Sequence, residues 1–101
     1  MMLTSKQRAY LRSLANSLDP VFIIGKEGVT EETIRQLALV LEARELIKVK
    51  ILETALLDTK ECGNEIAEEL EADCVQAIGS KFVLFKRAIK KENHKIKFPL
   101  K

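Results

Sequence analysis

Two glycines three residues apart, set between an apolar run and a helix-start signal, constrain this chain more than any other feature. Val21-Phe22-Ile23-Ile24, entered through Pro20, read as a short buried strand. Gly25-Lys26-Glu27-Gly28 then form a loop. Val29 and Thr30 lead into Glu31 and Glu32, the pattern of a helix N-cap followed by acids in the first turn. Strand, loop and helix start bring backbone N–H groups and the positive end of a helix to one surface point, a geometry that accepts a phosphate. Glycines also allow positive φ and let another backbone approach with no Cβ in the way. Lys26 adds a cation at the tip, and Glu27 opposes it. The alternative is a tight strand-to-helix turn with no ligand, because two glycines at this spacing also arise by chance. The GxxxxGK[ST] pattern of a nucleotide-triphosphate loop is absent.

Read in order, the rest of the chain supplies three helices and three further strands. Thr4 and Gln7 have capping-box spacing for a helix running to about Asn16, with Tyr10, Leu11, Leu14 and Leu18 on one face. Arg8 and Arg12 line the edge of that face, either as a solvated helix flank or as part of a basic surface. Asp19-Pro20 ends this helix. A second helix is expected from about Glu31 to Arg44, with Ile34, Leu37, Ala38 and Leu41 as its core stripe and Val40 broadening it. Leu46 to Leu52 alternate as a strand whose Ile47, Val49 and Ile51 face the core, so Lys48 and Lys50 project from the other face. That alternation predicts a sheet covered by helices on one side and open on the other.

Asp58 to about Glu71 form a third helix with Cys62, Ile66, Ala67 and Leu70 inward; Gly63 weakens it by about 1 kcal/mol relative to alanine. Residues 74–78 and 82–87 are strands joined by Gly79-Ser80-Lys81, a hairpin signal. Residues 88–101 read as a mostly extended basic tail with one apolar cluster, Ile96 to Leu100, and an edge segment there tolerates Pro99. The expected fold is α/β: a mixed four-stranded sheet with three helices, in the order α-β-α-β-α-β-β. At 101 residues, one domain spanning 1–101 is expected.

Charge separates function classes better than its total. The net charge is only +2, yet Asp58 to Asp73 hold seven acids against Lys60, and Lys81 to Lys101 hold eight bases against Glu92. Such segregation favours a basic surface for a polyanion. Lys48 and Lys50 are exposed in either reading and often merely solubilise. With Lys81, Lys86 and Arg87 they make a continuous basic field if their strands are neighbours. Phe82 and Phe85 are assigned to the core, which leaves no aromatic platform for reading single-stranded bases and favours backbone and shape recognition.

Catalysis finds little support. His94 is the sole histidine and sits in a polar stretch, the acids of 58–73 spread along a helix, and no serine lies in a nucleophile elbow. Cys62 and Cys74 have neither CxxC spacing nor a nearby histidine, so free thiols in a reducing compartment are expected, with no metal and no cofactor. With no signal segment and no 18-residue apolar run, a cytoplasmic protein without membrane contact is expected.

Four ordered blocks carry a family resemblance across nearly the whole chain. They are residues 3–7 with Leu11, Pro20 to Thr30, Glu45 to Lys50, and Gln76 to Arg87. In them the chain resembles the CRM-domain proteins, specifically the small stand-alone bacterial YhbY-like members. The resemblance implies an RNA-binding domain whose core looks like the C-terminal domain of bacterial translation initiation factor three. It implies contact through the GxxG loop and adjoining basic surface, and association with precursors of the large ribosomal subunit. Carried onto this chain, the implied contacts are Gly25, Lys26, Gly28 and the lysines of the second strand. Two positions depart from the family pattern: Glu27, where a neutral or basic residue is usual, and Phe85, where tyrosine is usual.

The expected function is therefore non-enzymatic binding of structured RNA. The contact set is Gly25, Lys26, Glu27, Gly28, Arg8, Arg12, Lys48, Lys50, Lys81, Lys86 and Arg87. A monomer is expected, with no small-molecule substrate. The competing reading is a protein-interaction module whose acidic third helix docks on a basic partner, with the loop serving only as a turn.

Overall fold

The computed structural model describes residues 3–98. Helix α1 (Ser5–Ala15) precedes strand β1 (Pro20–Ile24), helix α2 (Glu31–Arg44) and strand β2 (Leu46–Ile51); helix α3 (Thr59–Leu70) and strands β3 (Asp73–Ile78) and β4 (Lys81–Phe85) follow. Single 3-10 turns occupy Glu53–Ala55 and Lys91–Asn93. The sheet order is β1-β2-β4-β3, with β1 and β2 parallel and the other pairs antiparallel. The α/β mixed sheet and its element order are as the sequence predicts.

Local chemistry accounts for the element ends. Thr4 and Gln7 form the expected capping box on α1, and Thr30 and Thr33 form one on α2 by exchanging hydroxyl and backbone hydrogen bonds. Asp58 caps α3 through the Glu61 N–H. Gly79 takes φ 61° in the two-residue hairpin between β3 and β4, as a glycine-first turn of this length requires.

Helices α2 and α3 cover one face of the sheet. Leu37 and Leu41 pack with Cys62, Ile66, Ala67 and Leu70 over Ile24, Ile47, Val49, Ile51, Phe82 and Leu84. Ala38, expected in the α2 stripe, is exposed, and Thr33 is buried in the first turn instead. Gly63 is a packing requirement as well as a weak helix former. A Cβ there would stand 3.0 Å from both Cys74 Sγ and Phe82 Cγ, so only glycine lets α3 approach the sheet this closely.

The second face is not open throughout, as the alternation in β2 predicts, but half covered. Leu11 and Ala15 of α1 bury Leu46, Val75, Val83 and Phe85, with Leu14, Leu18, Ile96 and Phe98 packed around them. Phe85 and Phe98 meet edge to face at 5.7 Å, and Tyr10 lies 6.0 Å from Phe98.

Residues 88–98 are not an extended tail. They return across the domain to two glutamates at the end of α2. Glu45, with no solvent exposure, accepts from the N–H groups of Ala88 (2.7 Å), Lys95 (2.6 Å) and Ile96 (2.9 Å) and from Arg87 Nη1 (3.1 Å). Glu42 accepts from Ile89 and Lys90 N–H and from the Asn93 amide. His94 Nε2–H donates to Ala88 O. The edge segment predicted around Pro99 lies outside the described residues.

Candidate nucleic-acid interface

The GxxG loop occupies one end of the sheet. Gly28 N–H donates to Gly25 O at 2.9 Å and closes a tight turn, with Lys26 and Glu27 exposed at its tip. Gly28 has φ 73°, a conformation that L side chains disfavour, while nothing stands within 4 Å of where its Cβ would be. Gly25 has no such φ, and a Cβ there would make only ordinary contact with Leu52. The fold thus needs one of the two glycines; at Gly28 the space a Cβ would take is empty, and at Gly25 it borders Leu52.

The adjoining helix end is less positive than its geometry alone implies. Glu31 and Glu32 sit in the first turn of α2, where carboxylates offset the helix dipole. Hydrogen bonds from Gln36 and Arg35 hold the Glu32 carboxyl below its ordinary range, so it stays ionised and is matched by Arg35 at 2.7 Å. A shallow groove of about 620 Å³ runs between β1, the loop and the start of α2.

Lys50 and Lys81 lie in the half of the second face that α1 leaves uncovered, and Lys48 lies at its border, opposite the Val83 that α1 buries. Lys50 of β2 lies directly opposite Lys81 of β4, and Ile23 of β1 and Ile78 of β3 extend the same row to both edges. Lys48 lies in the next row, between Pro20 and Val83. Ile23 and Ile78 are 56% and 65% exposed. The Lys50–Lys81 row lies at the loop end of the sheet, because Ile24 and Ile51 pair where β1 and β2 finish. The exposed acids Glu61, Glu65, Glu68 and Glu69 belong to α3, which packs on the opposite face.

The remaining predicted cations are placed differently. Lys86 and Arg87 fall beyond the end of β4, at the far end of the sheet from the loop, so the continuous field expected from them is broken. Arg87 is engaged within the fold. It bridges Glu45, donates to Ile96 O at 2.9 Å, and lies 5.8 and 5.5 Å from the Phe85 and Phe98 ring centres. Arg8 is half-buried and donates to Cys74 O at 2.9 Å, tying α1 to β3. Arg12 sits in the last turn of α1. Phe82 and Phe85 are fully buried, as expected of core residues.

Sequence reasoning missed a third element at the loop end, the connector from Leu52 to Leu57. Leu52 N–H donates to Ile24 O at 2.8 Å beside the loop, and Leu52, Leu56 and Leu57 are exposed. Three leucines in a stretch without strand or helix periodicity are the signal that was available.

The family model of the CRS1/YhbY (CRM) domain matches residues 3–86, which takes in the loop, the lysine strands and all three helices. The chain belongs to this family. The CRM domain here is 43% identical over 98 residues to "Probable RNA-binding protein YqeI" of Bacillus subtilis, covering 97% of this chain and 100% of that protein. It is 38% identical over 100 residues to an "RNA-binding protein" of Haemophilus influenzae, covering 98% and 97%. The solution structure of SAV1595 from Staphylococcus aureus matches this CRM domain with a TM-score of 0.77 and 42% identity, over 95% of this chain and 100% of that one. The relatives are named as RNA-binding proteins, and those names are not the names of enzymes. Among the described residues, no helix is long and apolar enough to cross a membrane.

Proposed function

We propose that this protein binds structured RNA, without catalysis, through the phosphate backbone. Gly25, Lys26 and Gly28 form the loop contact, and Lys48, Lys50 and Lys81 form the adjoining cationic surface. One observation carries the reading: the loop, Lys50 and Lys81 share an uncovered corner with Lys48 at its border, while the acids of α3 lie on the other face. The absence of side chains at Gly25 and Gly28 lets a sugar-phosphate strand approach closely, and the lysines release counterions as they neutralise phosphates. Glu27 and Glu31 moderate the affinity by repulsion. The names of the relatives support RNA as the polyanion. The family resemblance supports precursors of the large ribosomal subunit as the RNA, the bound protein acting in subunit assembly as a cytoplasmic monomer.

The test is titration of a structured ribosomal RNA fragment at several salt concentrations. Binding should weaken steeply with salt, and Lys26→Ala should lower affinity and flatten the dependence by about 0.7–0.9 log units per log unit of salt. Affinity unchanged by Lys26→Ala and by Lys50→Ala with Lys81→Ala would refute the assignment.

A further inference from the structure

The RNA-binding reading leaves a second groove at the same end of the sheet unused. It has a volume of about 710 Å³, within the range of about 300–1,000 Å³ usual for ligand clefts. The connector forms one wall with Leu52, Glu53, Thr54 and Leu57, and the β3–β4 hairpin forms the other with Gly79 and Ser80. Lys50 opens onto it as well, so the groove is continuous with the cationic row.

The walls suit a flat, partly polar ring more than a phosphate alone. Leu52 and Leu57 are 39% and 40% exposed and give an apolar surface, while Thr54 and Ser80 give hydroxyls and the Thr59 hydroxyl ties the two walls by donating to Gly79 O at 2.8 Å. Leu56 stands next to this wall at 90% exposure with φ 56°, a left-handed conformation that leucine rarely adopts. Its left-handed backbone closes the 3-10 turn, with its N–H donating to Glu53 O at 3.1 Å, so the exposed side chain and not the backbone is what the turn leaves unused. Glu53 supplies an acceptor-only group. A phosphate would be repelled by it, whereas the Watson–Crick edge of guanine offers two adjacent N–H donors to a carboxylate.

We propose that this groove holds an unpaired nucleotide of the bound RNA, guanosine in preference to the other bases. The base lies against Leu52 and Leu57 with Glu53 accepting from its edge, and Lys50 meets its phosphate. The proposal rests on the RNA-binding reading and narrows its ligand from structured RNA to a duplex with an extruded base, since paired bases in an A-form helix are out of reach of such a groove.

Three RNAs separate the two ideas: a perfect duplex, the same duplex with one bulged guanosine, and the same duplex with one bulged uridine. The full chain should bind the guanosine bulge more tightly than the perfect duplex, by about fivefold for a base resting on leucine surface, with the uridine bulge between them. Leu57→Ala should remove most of the preference for a bulge. Glu53→Gln should bring the two bulges together. Leu57→Ala should not change affinity for the perfect duplex by more than about twofold, since it is an exposed surface position. Glu53→Gln, by removing a carboxylate near Lys50, should tighten the perfect duplex by about two- to fivefold. Lys26→Ala should weaken all three RNAs alike. Equal binding of the three RNAs by the unaltered chain, or a bulge preference that survives both substitutions, overturns the base groove and leaves the loop reading standing. Failure to bind any of the three overturns both.

Discussion

Glu45 is the residue on which the C-terminal segment 88–98 depends. Burial raises its pKa, but hydrogen bonds from Ala88, Ile96 and Lys95 N–H and the charge of Arg87 outweigh this, so the carboxyl is held below its ordinary range. It also adopts φ 68°, a strained conformation for a side chain other than glycine's. Replacing the carboxylate with an amide sets an NH₂ group among donors, so Glu45→Gln should cost about 3 kcal/mol in urea unfolding at pH 7. A group whose folded pKa is depressed stabilises fully above its unfolded pKa of about 4.3 and loses that contribution as pH falls through the folded value. Stability should therefore drop on acidification below about pH 4, and the Glu45→Gln variant should show a shallower fall. At Gly63, alanine gains about 1 kcal/mol of helix propensity but drives a methyl group into Cys74 and Phe82. Overpacking of this kind costs about 1–3 kcal/mol. Gly63→Ala should be destabilising by roughly 1 kcal/mol net, and equal or greater stability would mean that α3 shifts freely.

At the scale of elements, the GxxG turn separates structural from external demands on glycine. Gly28→Ala forces alanine to a positive φ and should cost about 1 kcal/mol, whereas Gly25→Ala should leave the unfolding midpoint nearly unchanged. Both should weaken RNA binding, and loss of binding at Gly25 without loss of stability is the signature of a backbone approached from outside. The C-terminal segment makes a parallel prediction. Amide protons of Ala88, Lys95 and Ile96 should exchange slowly at neutral pH and lose protection first on acidification, read by NMR.

Elements with strong local signals were legible in the chain. The Thr4–Gln7 capping box, the Thr30 N-cap, the alternation of Leu46 to Ile51 and the glycine-first hairpin each depend on neighbours a few residues away. What stayed hidden depends on partners far along the chain. Nothing near Glu45 announces that residues more than 40 positions later will donate to it, and nothing in α1 says which face of the sheet it covers. Arg87 looked like a surface cation for the same reason: its partner lies 42 residues earlier. The candidate site divides along this line. The loop and Lys48, Lys50 and Lys81 follow from local pattern, and the Leu52–Leu57 wall emerges only once the β3–β4 hairpin is seen beside it.

For the whole molecule, sheet order matters more than any single charge. Because β4 inserts between β2 and β3, Lys81 is carried next to Lys50, although the two are far apart in the chain. Binding measured at low salt should tighten on Glu27→Gln by on the order of 0.5–1 kcal/mol, the value of one exposed charge. No change would mean that the loop tip points away from the RNA. With Lys48, Lys50 and Lys81 on one face and the acids of α3 on the other, the net charge of +2 is unevenly spread across the sheet. A body charged in this way is rotated by the field of a polyanion before the two touch. Encounters then begin with the lysine side leading, and orientation ceases to be left to random tumbling.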